Sequence, residues 1–272
     1  MMKIVGVVKK KVSIYSLLLV FFFPIGLHAD ISETVEVVTV RPGVTQSYLL
    51  LIPEKPLATV ILFAGYGGYL DITQDGIQQP SENFLVRTRN KFAARNFMTA
   101  VVDVPSDFKG VDGILGWRAT ETHAQDLQKI MSTLRQKADV PLWLVGTSRG
   151  TISAANAAAR LQENGADGLV LTATVVTAGG RNPGYIGDVA LDKIQIPTMI
   201  VHHDEDDCVV CEFYEAKRLP AELTNAPKVE FVAFSGGKQA KSGSCGPLSE
   251  HGFFGLEDSV VDTISTWILA RK

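Results

Sequence analysis

Pro141-Leu-Trp-Leu-Val145 leads into Gly146-Thr147-Ser148-Arg149-Gly150, and that leads into Thr151-Ile-Ser-Ala-Ala-Asn-Ala-Ala-Ala-Arg160. The first stretch is a short apolar run that ends in glycine, as a buried strand does. The last is rich in alanine, the strongest helix former. Between them lies a turn so tight that a side chain at either flanking position strikes the neighbouring backbone, so glycine is required at both. The residue between the glycines is lifted to the end of the sheet, and its hydroxyl faces outward. The helix that starts there aims its first amides at any negative charge forming nearby. Ser148 is therefore the candidate nucleophile.

Working outward, apolar runs bounded by turn residues recur along the chain. Residues 34–40 and 47–52 predict two antiparallel opening strands joined near Pro42-Gly43. Residues 58–63, 99–104, 141–145, 168–173, 197–201 and 228–234 predict six more strands. Helical patterns fall at 82–95, 120–137, 149–163, 211–219 and 257–270. Strands alternating with helices imply an α/β architecture, an eight-stranded, mostly parallel sheet with helices on both faces. Right-handed crossovers bring the C-terminal ends of the parallel strands to one edge, where ligands collect. Candidate chemistry is thus sought just after each apolar run.

A chain of 272 residues, 46% hydrophobic and 20% charged, fits one globular domain. Lys9-Lys10-Lys11 precedes an almost uncharged apolar run from Val12 to Leu27, and Ala29 offers a small residue before Asp30. That is the pattern of a secretory signal peptide over residues 1–29, with the domain expected over 30–272. The run is about 16 residues, short of the roughly 20 a spanning helix needs, and Pro24 interrupts it. Export to the periplasm or the exterior is expected, with no stable membrane span in the mature chain. Cleavage there removes four of the 26 basic residues and none of the 29 acidic ones, which leaves a net charge of −7. An acidic chain has no basic stripe for phosphates, so nucleic acid is excluded as a partner. Oligomeric state is not legible in the sequence.

A serine hydroxyl needs a base to take its proton, and the base works best when a third group orients it. His251, in Glu250-His251-Gly252-Phe253-Phe254-Gly255 before the last helix, is the candidate base. Pro197-Thr-Met-Ile-Val-His-His-Asp-Glu-Asp-Asp-Cys-Val-Val210 ends a buried strand in a cluster of acids, where Asp204, Asp206 and Asp207 compete to be the orienting carboxylate. Phe63-Ala64-Gly65-Tyr66-Gly67-Gly68 follows another buried strand. An acyl-transfer intermediate needs two backbone N–H donors. Arg149 supplies one, and Tyr66 the other, with Gly67 as alternate. The Arg149 side chain reaches either toward an anionic substrate or along the surface.

The order Ser…Asp…His, the strand–turn–helix setting of Ser148 and the glycine-rich loop together resemble the α/β-hydrolase superfamily over nearly all of residues 31–272. Asn83-Phe-Leu-Val-Arg-Thr-Arg89, Asp103-Val-Pro-Ser-Asp107, the His-His-Asp loop with its Cys, and His251-Gly-Phe-Phe-Gly-Leu-Glu257 resemble exported bacterial serine hydrolases of unassigned substrate. The superfamily's acid loop, His-Gly-x-x-Asp-x-x-Val-Pro, places the acid at Asp207 when one extra residue is allowed after His203, with Asp204 second. The resemblance implies a serine hydrolase that cleaves a carboxylic ester, an esterase with no cofactor and no metal. A peptidase or amidase using the same triad is the alternative within that class, and a non-catalytic binding protein on a hydrolase scaffold the alternative outside it. The 22 residues from Thr174 to Gln195 are too few for a cap domain, and Tyr69–Ser81 is placed over the site instead. A soluble, small-molecule ester or amide suits so open a site.

If the acid and base loops are neighbours, so are Cys208 and Cys245, and a Cys208–Cys245 disulfide is expected, with Cys208–Cys211 as runner-up. A zinc site from His202, His203, Cys208 and Cys211 is disfavoured, because alternation along a strand turns the two histidines to opposite faces.

Overall fold

The computed structural model describes residues 31–79, 81–162, 165–179 and 183–271, so the expected signal peptide lies outside the described residues. Ten strands form: β1 (Ser32–Arg41), β2 (Val44–Ile52), β3 (Ala58–Phe63), β4 (Ile72–Thr73), β5 (Gly76–Ile77), β6 (Phe97–Pro105), β7 (Leu142–Thr147), β8 (Gly168–Thr172), β9 (Thr198–His203) and β10 (Val229–Phe234). Five α-helices accompany them: α1 (Phe84–Ala93), α2 (Glu121–Lys137), α3 (Gly150–Leu161), α4 (Phe213–Ala216) and α5 (Glu257–Leu269).

Eight strands make one sheet in the order β1-β2-β6-β3-β7-β8-β9-β10. β1 and β2 pair antiparallel, β2 meets β6 antiparallel, and every pairing from β6 to β10 is parallel. The parallel strands are covered on both faces, which is why they read as unbroken apolar runs. Alternate residues feed two cores. Ile61 and Phe63 of β3 pack with Leu127 and Ile130 of α2 and Ile152 of α3. Val60 and Leu62 point the other way, toward Phe84 and Phe92 of α1 and Ile264 of α5.

One expectation needed adjustment. The helix expected over 211–219 is only α4, Phe213–Ala216, followed by a 3₁₀ turn at Leu219–Ala221. Pro220 lacks the N–H that would carry an α-helix through this stretch. The described part of 69–81, the segment expected over the site, contains the β4–β5 hairpin, in which Thr73 faces Gly76. The described part of 174–195 holds just two 3₁₀ turns, Ile186–Asp188 and Leu191–Lys193. Among the described residues no helix is long and apolar enough to cross a membrane.

The hairpin is anchored from the sheet. Asp103, buried near the end of β6, accepts hydrogen bonds at 2.8 Å from the amides of Leu70, Ile72 and Val104. A backbone N–H buried without an acceptor costs about 1–3 kcal/mol. Asp103→Ala is accordingly expected to lower the urea-unfolding free energy by about 2–4 kcal/mol. A change of under about 0.5 kcal/mol, the scale of an ordinary surface substitution, would show that the hairpin does not depend on this carboxylate.

Candidate active site

Ser148 follows β7 and precedes α3, with a backbone φ of +51°. That is left-handed backbone, which costs a non-glycine residue energy and persists only where its surroundings enforce it. The surroundings are the two glycines. A Cβ on Gly146 would come within 2.5 Å of the Gly150 carbonyl oxygen, and one on Gly150 would overlap the Phe63 carbonyl oxygen of β3. Hydrogen bonds fix the turn from both sides. Ser148 donates its N–H to the Thr172 carbonyl at 3.0 Å, and its own carbonyl accepts from Thr151 N at 3.0 Å and Thr151 Oγ1 at 2.6 Å.

His251 sits in a 3₁₀ turn, Glu250–Gly252, and is buried. Its Nδ1 pairs with Asp206 Oδ2 at 2.9 Å. The expected acid, Asp207, is exposed and takes no part; Asp204 is exposed as well. The reason is register in a tight turn. Asp206 N donates to the His203 carbonyl, which folds the loop back so that residue 206 points inward and 207 outward. Laid on the acid-loop motif from His202, with His203 in the glycine position, the chain needs no inserted residue and the acid falls on Asp206.

Asp206 is well supported. Its Oδ1 accepts from Cys208 N at 3.0 Å, and His202 Nε2 lies 3.4 Å from Oδ2 while donating to the Cys211 carbonyl at 2.7 Å. Burial alone would raise the Asp206 pKa, but hydrogen bonds from His202 and His251 outweigh it and hold the carboxyl down at about 2. His203 is engaged elsewhere, with Nε2 on the Gly236 carbonyl at 2.8 Å and Nδ1 accepting from Glu205 N at 3.1 Å. Cys208 and Cys245 form a disulfide, which ties the acid loop to the loop before His251. Cys208 is thereby removed from any zinc site or C-x-x-C pair. Cys211 remains a free, buried thiol within hydrogen-bonding reach of the Ser148 side chain, and burial pushes its pKa well above the usual value.

A cavity of about 380 Å³ opens over these groups. Ser148, His251, Tyr66, Gly65 and Asn83 line it, with Tyr69 and Leu70 from the segment ahead of the hairpin. Tyr66 has a φ of +49°. Neither its amide nor that of Arg149 donates to another of the described residues. Among the described residues Ser148 makes no hydrogen bond to His251, whose Nε2 is likewise unpartnered there. The Arg149 guanidinium turns away from the cavity, donating to the carbonyls of Pro183 at 3.2 Å and Gly184 at 2.6 Å.

No family model and no curated relative matches the sequence. Solved structures do match over nearly the whole chain. An esterase of Pyrococcus furiosus is similar at a TM-score of 0.62 and 11% identity, covering 93% of this chain and 96% of that one. A dienelactone hydrolase of Anabaena variabilis is similar at a TM-score of 0.60 and 15% identity, covering 89% and 98%. An alpha-beta serine hydrolase homologue of Coxiella burnetii is similar at 0.58 and 18% identity, covering 86% and 96%. The chain has the α/β-hydrolase fold. Identities this low carry the fold and leave the chemistry to the site itself.

In this α/β-hydrolase fold, two side chains at the site were not singled out from the sequence. Arg118 is buried, and its Nη2 donates to the carbonyls of Ala64 at 3.0 Å and Tyr66 at 2.9 Å, on either side of Gly65. Its Nη1 donates to Ser153 Oγ at 2.7 Å. It thereby pins the loop that carries the Tyr66 amide. Asn83 caps α1, its Oδ1 accepting from Leu85 N at 3.2 Å. A cap residue just before an apolar helical run was the signal available for it.

The depressed Asp206 pKa has a consequence for stability. A carboxyl whose folded pKa is about 2, against 3.8 ordinarily, adds stability that is complete above the unfolded value and lost as pH falls through the folded one. Wild type should therefore exceed Asp206→Asn by about 2 kcal/mol near pH 6. In urea titrations that gap should shrink as pH drops from about 4 toward 2. A gap constant across that range would show that Asp206 is not held as a low-pKa carboxylate.

Proposed function

We propose that the protein is an exported serine hydrolase that cleaves a carboxylic ester by acyl transfer to water. The export part rests on the N-terminal sequence. The chemistry rests on one observation. Ser148 in its left-handed turn, His251 with the buried Asp206 behind it, and Tyr66 with its unengaged amide meet at a single cavity, and the unengaged Arg149 amide directly follows Ser148.

In this reading Ser148 Oγ turns from the Cys211 thiol to His251 Nε2, a rotation about one side-chain bond. His251 takes the hydroxyl proton as Ser148 attacks the ester carbonyl, then gives it to the departing alcohol. Asp206 holds the proton on Nδ1, so that Nε2 is free to act as base, and stabilises the imidazolium that forms. The amides of Tyr66 and Arg149 receive the oxyanion, and water repeats the sequence on the acyl-enzyme. The neutral Cys211 thiol is a poor nucleophile and plays no covalent part. Esterases among proteins of the same fold favour the ester over the amide.

Labelling of the purified protein with a fluorophosphonate, followed by a panel of short esters and aminoacyl amides, tests the reading. Ser148→Ala is expected to abolish labelling, and Ser148→Ala or His251→Ala to lower ester turnover by about 10⁴-fold or more. Asp206→Asn should cost about 10²- to 10⁴-fold, while Asp207→Asn leaves turnover unchanged. Wild-type turnover by Ser148→Ala, or a loss confined to Asp207→Asn, would overturn it. Faster cleavage of amides than esters would move the assignment to an amidase.

A further inference from the structure

We infer that the side-chain amide of Asn83 is a third hydrogen-bond donor to the oxyanion, alongside the amides of Tyr66 and Arg149. The inference rests on the reading of Ser148 as the nucleophile. Asn83 begins α1, and each of its other polar groups is engaged in local structure. Its N–H donates to Ser81 Oγ at 3.3 Å, its carbonyl accepts from Arg87 N at 3.0 Å, and its Oδ1 accepts from Leu85 N at 3.2 Å. The last bond decides the orientation of the amide. With Oδ1 committed to the helix, the NH₂ group must face the other way.

That other way is the cavity, which Asn83 lines together with Ser148 and His251. Among the described residues Nδ2 donates to no acceptor. Its place is fixed by Gly65. A Cβ built on that glycine would stand 3.3 Å from Asn83 Nδ2 and 3.0 Å from Ser148 Cβ. Asn83 Nδ2 and the Ser148 side chain thus border the same space beside the Gly65 backbone, immediately before the Tyr66 amide. A side chain at position 65 would crowd both, so glycine there keeps open the space into which nucleophile and donor face. Serine or aspartate caps a helix as well as asparagine does, but neither supplies an NH₂ group. Capping uses the Oδ1 oxygen and leaves the NH₂ group free for a substrate oxygen.

The test separates the two roles. Asn83→Asp and Asn83→Ser both keep an N-cap oxygen and both remove the donor. Each is expected to melt close to wild type and to lower kcat on p-nitrophenyl acetate by about 10²-fold, the typical loss for one oxyanion donor, with KM little changed. The rate of fluorophosphonate labelling should fall in parallel. Wild-type kcat in both capping variants would overturn the inference while leaving the serine hydrolase reading intact. If Asn83→Asp fails to fold, Asn83→Ser carries the test. A wild type that neither labels nor turns over esters would remove the serine hydrolase reading and this inference with it.

Discussion

The close crossing of α3 over β3 and β7 is the constraint on which the site depends. Gly150 lies against the Phe63 carbonyl oxygen and Gly146 against the Gly150 carbonyl, at distances that exclude any Cβ. The chain has no room for an ordinary turn, so Ser148 is held at positive φ and its side chain leaves the sheet edge. The same crossing puts the start of α3 directly behind the nucleophile, so the Arg149 amide arrives without a separate device. It also brings the end of β3, and with it residues 64–68, against the nucleophile turn. The Ser148 turn, the two amides and the cavity floor are thus consequences of one packing contact between backbones.

The Asp206–His251 pair comes from farther along the chain, and its position is held differently. Asp206 and His251 lie 45 residues apart, on loops rather than on strands. Two links join those loops, the Asp206–His251 pair itself and the disulfide from Cys208 to Cys245. A covalent link between residues 37 positions apart contributes about 3–4 kcal/mol in the chain-entropy model. Its local effect matters more for the site. Cys208 is two residues from Asp206 and donates its N–H to that carboxylate, so the disulfide and the acid share one turn. His202 secures the other side of the turn through the Cys211 carbonyl.

The fold was legible because five of the six parallel strands, all but the edge strand β10, are buried along their whole length and announce themselves as apolar runs between turn residues. β3, Ala58–Phe63, was read to the residue. The turn that carries Ser148 was legible because glycine on both sides of one serine has a steric cause that sequence preserves. The partner of His251 was misread because three aspartates within four positions differ only by how a tight turn aims them. One residue of register moves a side chain from the core to solvent, and composition holds no record of that. The β4–β5 hairpin had its signal in Asp75-Gly76, where Gly76 has a φ of +91°, but strands of two residues leave no periodicity to find. Arg118 left less trace. A lone arginine after Trp117 reads as surface, and only the fold shows that its partners are carbonyls.

Arg118 also changes the electrostatic balance of the site. Burial, with Arg149 nearby, lowers its pKa to about 9, which still leaves it charged at neutral pH. No carboxylate pairs with it among the described residues. His123, which shares Ser153 with it, is neutral, its pKa lowered to about 3 first by burial and then by Arg118 and Arg41. A buried charge with only dipoles for partners is costly. It lies behind the loop that carries the Tyr66 amide, bonded to the carbonyls on either side of Gly65. Negative charge developing at that amide would come under the field of this cation in a medium of low dielectric. If the proposed acyl transfer takes place here, the free protein would bear the cost and the transition state would recover part of it, which is the direction required for an interaction to raise turnover and not merely tighten binding.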